Sequence, residues 1–223
     1  MNRKFNFSIG EFYHVYNRGV DKRKIFLSKT DYKRFITLLF ACNSTKSVNL
    51  REQGESLEEA LETERGETLA NICVYCLMPN HFHIIFKEKV EGGISLFMQK
   101  LQTAYTMYFN ERNQRTGSLL EGTFKASHAH TDEYLKYLIS YIHLNPVKLV
   151  EPKWKENGIA DRAGAEKFLQ NYAYSSYPDC SGDARQEGAI IESKELPEYF
   201  ESIRDFKSAV REWLEFNINS PKG

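Results

Sequence analysis

Two H-x-H pairs, His81-Phe82-His83 and His128-Ala129-His130, and one C-x-x-C pair, Cys73 and Cys76, are where this chain could gather side chains around a metal. On an extended strand, residues two apart leave the same face about 7 Å apart at Cβ, near enough for two imidazoles to share one ion. Phe82, Ile84 and Phe86 then face the other way and serve as core. Spacing alone does not choose between the two histidine pairs. The cysteines lie in Asn71-Ile72-Cys73-Val74-Tyr75-Cys76-Leu77-Met78, which reads as a strand. Three positions apart on a strand puts two sulfurs on opposite faces, so buried thiols are expected here and not a zinc or redox pair. With Cys42 and Cys180 irregularly spaced, all four cysteines read as reduced thiols without a disulfide frame.

The elements that must position these residues can be followed along the chain. Glu11 to Gly19 is aromatic and β-branched and closes on Asn17, Arg18 and Gly19, a first strand. Phe35, Leu38, Leu39 and Cys42 recur at helical spacing after Thr30-Asp31, giving a helix over about 30–43. Residues 44–68 are polar and Glu-rich and read as an insertion. Strands are expected at 69–78 and 81–87, with Pro79-Asn80 as the turn of a hairpin. Ile94, Phe97, Leu101, Tyr105, Tyr108 and Phe109 mark a long helix after Gly92-Gly93; Tyr105 and Tyr108 are read as its packing residues. A fourth strand is expected from Phe124 to His130. Thr131-Asp132-Glu133 opens a last helix carrying Tyr134, Tyr137, Leu138 and Tyr141, which Asn145-Pro146 ends. The order β-α-β-β-α-β-α implies an α+β fold: a ferredoxin-like antiparallel sheet with helices packed on it, plus a mostly helical C-terminal extension over 151–223.

The composition is that of a soluble globular protein, with no apolar run of about 18 residues to span a bilayer and no apolar signal core in Met1 to Asn6. A cytoplasmic location with no membrane partner is expected. Formal net charge is zero, yet it is unevenly spread. Residues 1–35 carry nine basic groups against three acids, residues 51–67 two against seven, and residues 151–223 ten against fourteen. A locally basic surface for nucleic-acid phosphates can therefore sit on a neutral molecule.

Two longer motifs distinguish the first histidine pair. Cys76-Leu77-Met78-Pro79-Asn80-His81-Phe82-His83-Ile84-Ile85 and, later, Tyr141-Ile142-His143-Leu144-Asn145-Pro146-Val147-Lys148 resemble the single-tyrosine HUH transposases, the IS200-like family, and within it the REP-associated tyrosine transposases. The resemblance covers roughly residues 10–150, from Tyr13-His14-Val15-Tyr16-Asn17-Arg18-Gly19 onward, and includes Gly117-Ser118-Leu119-Leu120-Glu121-Gly122-Thr123-Phe124-Lys125. It implies a catalytic domain over 1–150 that cleaves and rejoins single-stranded or hairpin DNA, followed by the extension.

By this resemblance His81 and His83 match the metal pair, Asn145 stands where a third ligand is placed, and Tyr141 matches a nucleophile that forms a 5′-phosphotyrosine and frees a 3′-hydroxyl. The residue types suit that chemistry. A phenol, which ordinarily ionises only near pH 10 (about that value in free peptides), is a poor nucleophile until a divalent cation polarises and positions the phosphate. Imidazoles and an amide oxygen leave open positions on Mg²⁺ or Mn²⁺. Tyr141 and Asn145, four residues apart, share one helix face. Arg18, Lys22, Arg23, Arg115 and Lys125 are the candidate DNA-phosphate contacts, and a homodimer is an assembly compatible with this chemistry. Two rivals stand beside it: a non-catalytic or host-adapted nucleic-acid-binding regulator on the same fold, and a metal phosphodiesterase that uses water.

Overall fold

The computed structural model describes residues 6–46, 56–196, 205–208, 210 and 212. The basic Arg3 and Lys4, the middle of the expected insertion (47–55) and parts of the extension lie outside the described residues. In chain order the elements are β1 (Phe12–Arg18), α1 (Lys29–Ala41), α2 (Leu57–Glu62), β2 (Ala70–Met78), β3 (His81–Glu88), α3 (Gly93–Arg112), β4 (Lys125–His128) and α4 (Asp132–Leu144). The extension adds α5 (Trp154–Asn157), α6 (Arg162–Gln170) and α7 (Tyr177–Cys180), with short 3-10 turns between them. The strands form one antiparallel sheet in the order β2-β3-β1-β4. This is the expected α+β, ferredoxin-like arrangement.

Alternation along β1 and β3 gives the sheet two apolar faces. Val15, Phe82, Ile84 and Phe86 pack with Phe35, Leu38 and Leu39 of α1 and with Ile94, Phe97 and Leu101 of α3. On the opposite face Val74, Cys76, Met78 and Ile85 pack with Leu135, Leu138, Ile139 and Ile142 of α4. That second face is the one His81 and His83 share, because they alternate with Phe82 and Ile84.

One expectation fails in β2. The register slips between Ile72, opposite Phe86, and Val74, opposite Ile85, so Cys73 is an inserted bulge residue. The extra residue shifts the alternation, and Cys73 joins Cys76 in the same apolar cluster on the α4 face. The two thiols are not on opposite faces. Both are free and buried, and burial raises both, Cys73 to about 12. The fourth strand is also shorter than Phe124 to His130, although Ala129 donates one more backbone bond to Phe12.

Local chemistry fixes the element ends. Ser28 and Asp31 form a reciprocal capping box at α1, and Thr131 accepts from the Tyr134 N–H at α4. The Pro79-Asn80 turn is held from the β1–α1 loop: the Pro79 carbonyl accepts from Ile25 and Phe26, and the Asn80 carbonyl from Gly19. The Tyr/Ser-rich stretch of the extension covers the outer edge of β2. Leu77 N–H donates to the Tyr174 carbonyl (2.9 Å), Ser176 N–H to the Tyr75 carbonyl (3.0 Å), and the Tyr172 hydroxyl to the Leu77 carbonyl (2.7 Å). An exposed edge of unpaired backbone is thereby closed. Among the described residues no helix is long and apolar enough to cross a membrane.

Candidate active site

Antiparallel pairing of β1 with β3 sets Arg18 opposite His81 and Tyr16 opposite His83, so these four side chains leave one face together. Lys125 of β4 lies opposite Tyr16 and shares that face. α4 crosses the same face and delivers Tyr141 near its C-terminal end. The Tyr141 ring stands 6.0 Å from the His83 ring at 78°, and the His81 and His83 rings are 5.0 Å apart at 87°. Tyr141, both histidines, Arg18, Lys22 and Lys148 line one open cleft of about 480 Å³.

Both histidines are held from behind. His81 Nδ1–H donates to the Asn80 side-chain oxygen (2.6 Å), and His83 Nδ1 meets His14 Nε2 at 2.8 Å. Neither His81 nor His83 uses Nε2 in a hydrogen bond to a described residue. This is the pattern of metal-ligating imidazoles, where one nitrogen is fixed and the other keeps its lone pair. Burial lowers His81 to about 4, helped by Lys148, Lys155 and Arg18, and lowers His14 to about 4. His83 is pushed well below the usual range by burial, then by His14, His81 and Lys155. At neutral pH both cleft imidazoles are therefore uncharged donors, and these residues fit a divalent cation. Among the described residues no group of three or more His, Cys, Asp or Glu side chains is gathered for a metal. Among the described residues a third protein ligand would have to be of another type.

Asn145, buried, sits one turn beyond Tyr141 and donates its amide N–H to the Tyr141 carbonyl (2.8 Å). That leaves the amide oxygen as its acceptor. Burial raises the Tyr141 phenol, while Lys148 and a side-chain hydrogen bond with Asn145 pull the other way. Tyr137 stacks on Tyr141 (5.8 Å, 21°), and Tyr134 stacks on Tyr137 in turn (6.1 Å, 17°), so both half-buried tyrosines continue the row along α4. Tyr105 and Tyr108 pack elsewhere, bonding the Ile25 carbonyl (2.5 Å) and Asp31 (3.1 Å).

The cations expected to meet phosphate are dispersed. Arg18 and Lys22 line the cleft, Arg18 bonding Glu121 at 2.6 Å and Lys22 held in the left-handed region at φ 58°. Arg23 bonds the Val20 carbonyl and Asp21 in its own loop. Arg115 ties the end of α3 to the following loop through Asn110 and the Ser118 carbonyl. Lys125 is exposed on β4. The other H-x-H pair is not at the cleft: His128 lies opposite Tyr13 on the α1/α3 face and bonds Glu11 (2.8 Å), and His130 contacts the His128 carbonyl. Three residues of the site escaped the sequence reading. His14 carried a signal, since it falls two before Tyr16 on the same strand face, and so did Lys148, seven residues after Tyr141 in the second motif; Lys155 carried none, because only the tertiary fold brings it to α4.

The sheet presents paired imidazoles beside a helix-borne tyrosine in a cleft also lined by Arg18, Lys22 and Lys148, an arrangement that can receive a phosphate. The family comparison makes this specific: residues 22–145, more than half of the chain, match the family described as "Transposase IS200 like", and the chain belongs to it. Six chains of solved structures match. One is a REP-associated tyrosine transposase bound to a REP hairpin, 14% identical with a TM-score of 0.52, covering 84% of this chain and 90% of that one. A likeness at this identity is one of fold. No curated protein matches the chain.

Proposed function

We propose that this transposase cleaves and rejoins single-stranded or hairpin DNA through a 5′-phosphotyrosine on Tyr141, in the manner of the REP-associated branch. The observation that carries the reading is the 6.0 Å approach of Tyr141 to His83 within the cleft that His81 also lines. The structural relative bound to a REP hairpin supports DNA of that form as the partner. Tyr141 Oη attacks the phosphorus, the P–O3′ bond breaks, and the departing 3′-oxygen takes a proton as the free hydroxyl. Because the new ester conserves the phosphodiester, the 3′-hydroxyl can attack it in return and rejoin a strand without ATP. A Mg²⁺ or Mn²⁺ held by His81, His83 and the Asn145 oxygen would polarise the phosphate and stabilise the charge that develops on it. Arg18, Lys22 and Lys125 are read as phosphate contacts. Arg23 and Arg115 are retained as candidates on the flanking loops. Residues 1–150 are read as the catalytic unit, with 44–68 an insertion and 151–223 an extension, in a cytoplasmic enzyme for which a homodimer is admitted.

The test is a covalent one. Wild-type protein incubated with Mn²⁺ and a labelled hairpin oligonucleotide bearing a single-stranded tail should give a protein–DNA adduct that survives denaturing electrophoresis. Tyr141→Phe should fold and give none. Cleavage without an adduct would identify water as the nucleophile, and an adduct persisting in Tyr141→Phe would move the role to Tyr137, whose ring stacks on Tyr141.

A further inference from the structure

The ammonium of Lys155 lies over the Tyr141 ring, 4.3 Å from its centroid, and 5.5 Å from that of Trp154. Lys155 belongs to α5, in the extension beyond the family match, which ends at residue 145. Lys148, from the 3-10 turn that follows α4, lines the cleft and is close enough to disfavour the charge on Lys155. Both lysines, with Arg18, also press on His81. Neither lysine makes an ion pair with a described acid. Ammonium groups held near one another beside neutral imidazoles repel and lose hydration, and Glu156 offsets this at Lys155 only in part. The arrangement is stabilised when an anion enters among them.

We infer that the extension completes the active site: Lys155, together with Lys148, binds the DNA phosphodiester beside Tyr141. This deepens the function proposed above and rests on it for the identity of the anion. Lys155 reaches the site by crossing the tyrosine ring, so it also restricts where that ring can swing. Lys148 comes from the 3-10 turn, Asn145–Leu149, that follows α4 directly. The family match spans residues 22–145, and Lys155, whose ammonium lies over the Tyr141 ring, comes from beyond it.

The experiment measures DNA binding separately from cleavage. A Tyr141→Phe parent, which keeps the ring under Lys155, is titrated with a fluorescent hairpin oligonucleotide bearing a single-stranded tail across a range of KCl concentrations. Each phosphate contact to single-stranded DNA contributes about 0.7 to the slope of log K against log salt. Lys155→Ala in this background should lower the slope by about that amount and weaken binding, and Lys155→Arg should restore both. Lys155→Gln, with circular dichroism and thermal melting, guards against a folding defect and should reproduce the alanine result. An unchanged slope in the alanine and glutamine variants would overturn the inference and reduce Lys155 to a packing contact on Tyr141. A parent with no salt-dependent binding would remove the DNA phosphate from this site and overturn it too. Adduct formation by the wild-type chain, run in parallel, decides the nucleophile without reference to Lys155, so the two readings can fail separately.

Discussion

His14 Nε2 lies 2.8 Å from His83 Nδ1, across the pairing of β1 with β3, and the two rings are nearly parallel at 27°. With His83 Nδ1 as donor, His14 accepts and His83 keeps its Nε2 lone pair for a metal. The partner is a second imidazole, which can also reverse the bond and turn the lone pair inward. His14 is therefore a positioning residue whose tautomer governs that of His83. His14→Ala should fold but bind Mn²⁺ about 10- to 100-fold more weakly, the usual effect of removing a partner that orients a ligand. Titration calorimetry on the wild type, His14→Ala and His83→Ala checks this. Equal affinity in wild type and His14→Ala would limit His14 to packing.

His143 gives the chain an acid-sensitive group in the core, packed against Tyr177 and Phe206. It is fully buried, its Nε2 bonds Ser176 Oγ at 2.9 Å, and burial lowers it from 6.5 to about 3. A histidine depressed on folding binds its proton more readily in the unfolded chain. Its stability contribution is thus complete above about pH 6.5 and is lost as pH falls toward 3. Between pH 6.5 and 5 the loss should be about 2 kcal/mol from this group alone. Chemical denaturation of wild type and His143→Gln across that range checks the sign. The wild type should lose more stability than the variant, and parallel curves would remove His143 as the cause.

How much of this was legible in the sequence follows from range. The histidine strand, its hairpin turn and the helix carrying Tyr141 are local patterns, and period 2 or 3.6 placed them within a residue or two. The α+β order was readable because each element had its own period and its own turn. The bulge at Cys73 was not, since an inserted residue leaves no mark in composition and shifts the alternation only through pairing with β3. The cations at the cleft divided the same way. Arg18 and Lys22 follow directly on the first strand, and the fold carries them to the site with it. Arg115, read as a phosphate contact by charge alone, is engaged by Asn110 and the Ser118 carbonyl. Lys148 follows Tyr141 by seven residues on the 3-10 turn that succeeds α4, whereas Lys155 reaches Tyr141 only because the extension packs back.

Gly19 is the point at which the Lys22 loop depends on a missing side chain. Its φ of −65° suits any residue, but a Cβ there would stand 2.3 Å from the Arg23 carbonyl oxygen. Its N–H also bonds the Asn80 carbonyl, so the loop cannot retreat without releasing the hairpin turn beside His81. Gly19→Ala should destabilise the protein by about 1–3 kcal/mol, the range of steric overpacking. It should also weaken hairpin-DNA binding by displacing Lys22. Thermal melting and fluorescence anisotropy check both. An alanine variant with wild-type stability would show that the loop has room to move.

Asn145 separates two roles that its position allows. As a helix-end residue it donates to the Tyr141 carbonyl at 2.8 Å, which uses the amide nitrogen and leaves the oxygen. As a ligand it would turn that oxygen to the cation that the proposed function places between His81 and His83. The two roles respond differently to substitution. Asn145→Ala removes both groups, so a purely structural role costs about 1 kcal/mol of stability and leaves Mn²⁺ affinity to the histidines. Asn145→Asp keeps the oxygen, adds a charge and loses the donor. If Asn145 ligates, the aspartate should bind Mn²⁺ at least as tightly as wild type while the alanine binds more weakly, and both should melt lower. The aspartate should also make phenolate formation at Tyr141 harder, because an anion would replace an amide whose hydrogen bonding lowers that phenol. Calorimetry with Mn²⁺ on the three proteins, beside their melting temperatures, resolves the choice. Equal Mn²⁺ affinity in wild type and Asn145→Ala, with only the melting temperature reduced, would remove Asn145 from the proposed metal site and leave it holding the end of the helix that carries Tyr141.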